Sequence, residues 1–141
     1  MKIRRYQKSD ETAVVSLWQA CNLVVPANNP YIDIARKTAF QADLFFVARI
    51  DGVVVGTIMA GYEGHRGWLN YLAVDPRQRK RGIGADLVRH ATTEMQKLGC
   101  QKINLQVRES NVDVLAFYEK LGFKRDNVVS LGLRLPQGEP S

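Results

Sequence analysis

Apolar residues at Val14, Leu17, Trp18 and Cys21 recur at the intervals of one helix face, and Ser9 and Asp10 stand just ahead of them with oxygens suited to an N-cap. A short strand-like run at residues 3–6 precedes this helix. Pro26, Asn28, Asn29 and Pro30 break the pattern, which resumes as a second short helix over residues 33–40. Residues 44–50 are a continuous apolar run, Asp51-Gly52 is a two-residue hairpin signal, and residues 53–60 form the return strand. A polar loop at residues 61–67 leads into a further strand at 68–74, which stops at Asp75-Pro76. Ile83, Leu87, Ala91, Met95 and Leu98 then mark the buried face of a long helix over residues 83–98, and Gly99 supplies its left-handed cap. Residues 102–107 alternate as a strand. Val114, Phe117, Tyr118 and Leu121 mark a last helix closed by Gly122, and residues 123–135 read as a closing strand.

The expected order is β-α-α-β-β-β-α-β-α-β. This is an α+β domain whose mixed, largely antiparallel central sheet carries a β-α-β crossover in its second half. Neither a repeat nor a linker interrupts the 141 residues, so residues 1–136 are expected to form one domain and 137–141 a frayed tail.

Composition narrows the partners. With 45% hydrophobic and 24% charged residues the chain reads as globular. The opening MKIRRYQKSD lacks the apolar centre of a signal peptide, and no run approaches the roughly 18 apolar residues of a membrane span. A cytoplasmic protein with no membrane partner is the expectation. Cys21 and Cys100 lie in separate elements without metal-ligand spacing, so free thiols and no metal are expected. The net charge of +6 admits nucleic acid, an anionic membrane or an anionic small molecule. Arg77, Arg79, Lys80 and Arg81 crowd four of the 20 basic residues into one turn, which points to one local anion site. No aromatic residues interleave with them, so nucleic acid is not the expected partner.

That basic turn connects a strand directly to the long helix. The first N–H groups of a helix have no intrahelical acceptor, and the helix dipole adds positive potential there. Gly82 and Gly84 remove side chains where phosphate oxygens would touch backbone, and Arg79 and Arg81 can add charge-assisted bonds. A solvated turn has the same ingredients, and from this segment alone both readings stand. A P-loop would need Gly-Lys-Ser/Thr, and a dinucleotide fingerprint a third glycine at Leu87; neither is present.

Arg79-x-x-Gly82-x-Gly84, following Leu72-Ala73-Val74, resembles the acetyl-coenzyme A signature of the GNAT superfamily of N-acetyltransferases. The segment from Asn111 through Tyr118 to Gly122 and Phe123 is similar to the superfamily's Asn…Tyr-x-x-x-Gly-Phe segment. Together the two motifs span residues 69–123 and suggest the small, single-domain bacterial type. The resemblance implies fourth and fifth strands that splay apart to admit the pantetheine arm of acetyl-CoA. Backbone groups of Leu72, Ala73 and Val74 would pair with that arm, and Asn111 would bond it. N–H groups of Lys80, Arg81, Gly82, Ile83, Gly84 and Ala85 would cradle the diphosphate beside Arg79.

For amine acetylation the site needs an oxyanion donor, a proton acceptor and a proton donor. The Leu72 N–H is the expected oxyanion donor. The resemblance makes Tyr118 the proton donor to the leaving thiolate and a contact of the coenzyme, although Tyr118 also fits as core. In the branch that acetylates ribosomal-protein N-termini a glutamate precedes Val-Arg-x-Ser-Asn; here Gln106 occupies that position and cannot be a base. Glu63 and His65, in the loop before the fourth strand, are the substitute proton acceptors, and Asn70 and Tyr71 are expected to line the cleft. Residues 33–40 are expected to border the acceptor site, and Trp68 and Leu69 to pack in the sheet. The acceptor would be an amine on a small molecule or a protein, and the chain a monomer or homodimer. The alternative is a catalytically silent module that binds coenzyme A as a sensor or interaction surface.

Overall fold

A computed structural model describes residues 1–136; the expected frayed tail, 137–141, lies outside the described residues. The chain divides into two compact units, the first ending at Gln106 and the second beginning at Val107.

The first unit is organised by a five-stranded sheet in sequence order. Its strands are β1 (Lys2–Arg5), β2 (Phe45–Ile50), β3 (Val53–Tyr62), β4 (Gly67–Val74) and β5 (Ile103–Asn104). The first four run antiparallel and β4–β5 is parallel, as a mixed α+β sheet requires. Asp51 and Gly52 both take positive φ, 50° and 78°, the pair of left-handed residues that matches a two-residue turn to the twist of its strands. Helices α1 (Glu11–Ala20) and α2 (Pro30–Ala39) precede β2, and α3 (Ile83–Lys97) connects β4 to β5.

α1 presses Val14, Val15, Leu17 and Trp18 onto Phe45, Val47, Met59 and Ala73, with Ile34 of α2 completing that layer. α3 lies against β2, β3 and β4. Its first turn is seated at Gly56, where an added Cβ would stand 2.8 Å from Leu87 Cδ1 and 3.2 Å from Ile83 Cγ2. Helices on either face explain why β3 is an unbroken buried run rather than an alternating one.

Three expectations need correction. Asp10 does not cap α1 with its side chain. Its carboxylate instead takes two bonds from the Arg4 guanidinium (2.8 and 3.0 Å) and one from the Gln7 N–H (2.8 Å). Burial alone would raise that carboxyl's pKa, and these bonds hold it below the ordinary value. The fifth strand is only two residues long, against the six expected at 102–107. The closing strand at 123–135 does not form: residues 123–136 take no regular structure, and Leu131, Leu133 and Leu135 are exposed. Alternation defines which side chains share a face, but a strand also needs a ladder.

The second unit carries α4 (Val112–Lys120). Tyr118 is its one buried helical residue, held edge-on by Phe117 and Phe123 with ring centroids 5.0 and 5.4 Å away.

Candidate functional site

The middle of β4 is not a regular strand. β3 and β4 register Thr57 with Ala73 and Met59 with Asn70, so Tyr71 and Leu72 together face the single residue Ile58. This is a β-bulge, and Tyr71 takes the left-handed backbone (φ 51°) that costs a bulky residue energy. A Cβ on Gly67 would meet Met95 of α3, whereas Ala73 packs in the α1 layer. Six residues apart, the two would share a face in an unbroken strand; the bulge reverses the strand.

Three contacts hold Tyr71 in this conformation. Its carbonyl accepts a 2.9 Å bond from Thr57 Oγ1, which in turn accepts one of 2.9 Å from Trp18 Nε1. Its ring stacks on Trp18 at 3.9 Å between centroids. Its hydroxyl donates to Asp33 Oδ2 and accepts from Asn28 Nδ2 at 2.6 Å. Burial first, then the Asp33 carboxylate, push the Tyr71 phenol up to about 12, so it keeps its proton at neutral pH. The bulge takes Leu72 out of the β3 register, and β5 pairs only with Gly67 and Trp68. Beyond Trp68, β4 has no β5 partner in the ladder, which is the expected splay.

Past Val74 the chain makes a single 3-10 turn at Pro76–Gln78 and enters the loop that opens α3. Asp75 removes one basic residue from consideration: its carboxylate binds the Arg77 N–H and guanidinium at 2.9–3.2 Å, and these bonds lower its pKa. Lys80 (φ 66°) and Gly82 (φ 77°) are both left-handed, and Gly82 is the N-cap residue of α3. No side chain caps this end. The Asp86 N–H is the first to find an intrahelical acceptor, the Gly82 carbonyl, so those of Ile83, Gly84 and Ala85 precede the ladder. Among the described residues Lys80 and Arg81 make no ion pair; both are exposed, as is Arg79. The Cys21 thiol, pushed up by burial, is partly brought back by the charge and hydrogen bond of Arg79. Backbone donors, left-handed turns and unpaired cations converge at one helix start, an arrangement suited to a diphosphate.

On the other side of the bulge, residues of β3, β4 and α2 border an open cleft of about 650 Å³. Leu23, Phe40, Met59 and Leu72 provide apolar wall; Asp33, Arg36, Lys37, Asn70 and Tyr71 provide polar groups. The Lys37 ammonium donates to the Ala60 carbonyl, and burial pushes it down to about 8. The cleft thus joins the strand that carries Leu72 to a set of charged groups. Asn70 and Tyr71 line it, and α2 borders it. Asn28, Thr57, Arg36 and Lys37 had no distinguishing local pattern; only the fold brings them to Tyr71 or into the cleft.

Glu63 and His65 are not brought there. They occupy the exposed β3–β4 turn, where the Glu63 carboxylate accepts from the Arg66 N–H, and Gly67 stands five positions along the strand from Leu72, at most about 17 Å. Trp68 is 40% exposed rather than packed, unlike Leu69. Gln106 is exposed at the end of the first unit. In the second unit Asn111 is the exposed N-cap residue of α4, and its side chain makes no cap bond. Burial pushes the Tyr118 phenol up to about 12. No described helix is long and apolar enough to cross a membrane. No group of three or more His, Cys, Asp or Glu is placed to hold a metal among the described residues.

A profile described as the acetyltransferase (GNAT) family matches residues 12–123. Three solved structures share the fold. PaiA N-acetyltransferase from Thermoplasma acidophilum, in complex with coenzyme A, is 20% identical with a TM-score of 0.74 over 91% of this chain and 92% of that one. The ribosomal-protein-S18-alanine N-acetyltransferase from Escherichia coli is 24% identical, TM-score 0.73, over 89% and 79%. An aminoglycoside 6'-N-acetyltransferase from Acinetobacter haemolyticus is 18% identical, TM-score 0.73, over 96% and 100%.

Proposed function

Because the chain belongs to the acetyltransferase (GNAT) family, we propose that it transfers the acetyl group of acetyl-coenzyme A to a primary amine by direct attack in a ternary complex. The uncapped start of α3, with its left-handed Gly82 and the unpaired Lys80 and Arg81, is the observation that carries this reading. The N–H groups of residues 80–85 bind the diphosphate, with Arg79 and Arg81 adding charge. Leu72, Ala73 and Val74 offer backbone bonds to the pantetheine arm along the part of β4 that has no β5 partner, and Asn111 offers its side-chain amide. A thioester supplies an activated acyl group with a thiolate leaving group.

The Leu72 N–H donates to the acyl oxygen as negative charge grows there, and the held bulge keeps that donor preorganised. Tyr118 gives a proton to the departing thiolate; its raised pKa keeps the proton available at neutral pH. The amine enters the cleft beside α2, where the Asp33 carboxylate, rather than Glu63 or His65, is the proton acceptor within reach of the bulge. The solved PaiA enzyme with bound coenzyme A supports the cosubstrate. The S18-alanine and aminoglycoside enzymes show how widely acceptors vary on one fold.

Thermal-shift titration with acetyl-CoA, followed by an amine screen on wild type and Tyr118→Phe, tests the reading. Stabilisation by the coenzyme and turnover reduced about a hundredfold in Tyr118→Phe are expected. Normal turnover by Tyr118→Phe removes it as proton donor. Tight binding with no turnover on any amine identifies a silent module instead.

A further inference from the structure

Asp33, Arg36 and Lys37 stand at i, i+3 and i+4 on α2, a spacing at which oppositely charged side chains on a helix ordinarily pair. They do not pair here. Asp33 accepts from Tyr71 and Asn28, and Lys37 donates to the Ala60 carbonyl. Among the described residues neither Arg36 nor Lys37 makes an ion pair. All three nevertheless line the same cleft, together with Leu72. The cleft wall therefore carries one carboxylate and two uncompensated cations, one of them half-buried.

Resting on the acetyltransferase reading, we infer that the acceptor is an amine that also bears a carboxylate and an apolar body. Its ammonium is received at Asp33, its carboxylate at Arg36 and Lys37, and its apolar part among Leu23, Phe40 and Met59.

Each group of such a ligand meets its complement. A half-buried ammonium without a counter-charge is costly, and the depressed pKa of Lys37 records that cost; an arriving carboxylate offsets it. Asp33 keeps acceptor capacity beyond its two donors, because a carboxylate offers about four lone-pair sites. A polyamine or aminoglycoside would bring further positive charge against Arg36 and Lys37. The volume of about 650 Å³ and the apolar wall suit an amino acid with a large side chain, or a short peptide, better than a small polar amine. In the proton step the ammonium gives one proton to the Asp33 carboxylate, the freed nitrogen lone pair forms the C–N bond, the C–S bond breaks with its electron pair going to sulfur, and the second nitrogen proton ends on that sulfur, leaving an amide, a thiol and a protonated Asp33. Charge and atoms balance without another reactant.

The test uses amines matched except for the carboxylate: phenylalanine, phenylalaninamide and phenethylamine, with spermidine as the polycation. Binding to the protein saturated with coenzyme A is read by calorimetry, and turnover by thiol release from acetyl-CoA. Phenylalanine is expected to bind and react at least about tenfold better than either matched amine. Lys37→Gln and Arg36→Gln should each raise its KM about tenfold, more than they raise that of phenethylamine, and Lys37→Arg should recover most of the loss. Equal or better use of phenethylamine or spermidine overturns the inference while the acetyltransferase reading stands. Coenzyme binding with no association of any of the four amines also overturns it. Failure of the coenzyme itself to bind removes the underlying reading, and the inference with it.

Discussion

Two helices in the first unit begin in opposite ways. At α2, Asn29 turns its side-chain oxygen back onto the Tyr31 and Ile32 N–H groups at 2.9 and 3.3 Å, and Pro30 removes a third donor from the helix start. At α3, a glycine stands in the same position, no side chain reaches back, and exposed Lys80 and Arg81 flank the open donors. The first end is complete within the chain; the second leaves its donors open. The same distinction divides the β4 bulge. The Tyr71 carbonyl, ring and hydroxyl are all engaged by the protein, while the adjacent Leu72 lies outside the β3 register. Polar groups closed on their own chain hold the shape, and those left open are the ones to which the proposed function assigns the ligand.

Giving α3 the kind of cap that α2 has should produce the largest change. Gly82→Asp places a carboxylate among the amides of the first turn and keeps a residue that tolerates left-handed backbone. Acetyl-CoA affinity by calorimetry should fall about a hundredfold or more, as several charge-assisted bonds are lost. The melting temperature should change little, because a cap worth about 1 kcal/mol opposes left-handed strain of similar size.

Loosening the bulge should have the next largest effect. Thr57→Val removes the bond to the Tyr71 carbonyl and leaves the buried Trp18 Nε1 without its partner. A stability loss of about 1–3 kcal/mol in denaturant melts is expected, with a drop in kcat and little change in coenzyme affinity. Coenzyme affinity falling in step with kcat would show that the bulge does not act separately from the α3 loop.

Opening α2 is the converse of closing α3. Asn29→Ala should lower stability by about 1 kcal/mol with acetyl-CoA affinity unchanged. A weakened affinity would mean that the two helix starts are not independent.

The smallest effect concerns pH and Lys37. Its pKa falls from 10.5 to about 8 on folding, so between those values the unfolded chain binds more protons and stability rises with pH. Melts of wild type should therefore gain on those of Lys37→Met as pH climbs from 8 to 10.5, and the two should run parallel below pH 7. Because Lys37 is only half-buried, solvent screening keeps the gain small.

How much of this was legible in the sequence depended on how local each signal is. The hairpin at Asp51-Gly52 and the basic, glycine-bearing start of α3 are written in adjacent residues, and both formed where expected. Helix α3 ends at Lys97 against an expected 98. The cleft was less legible, because Asn28, Asp33 and Tyr71 meet across 38 or more residues and only after a bulge reverses β4. A period-two reading of residues 68–74 carries no sign of that reversal, which rests on Thr57 and Trp18 in other elements. Glu63 and His65 lie close to β4 along the chain but at its far end, in an exposed turn, so proximity in sequence did not translate into a place in the cleft. The alternation of Leu131, Leu133 and Leu135 defined a face without defining a neighbouring strand.

The most direct measurement is a titration of coenzyme A into isotopically labelled protein, following backbone amide resonances. The expected result is saturable shifts concentrated at residues 80–85 and at Leu72, with Tyr31 and Ile32 at the start of α2 unmoved. Shifts at α2 with none at the start of α3, or no saturable shift at all, would contradict the assignment of that helix end to a diphosphate.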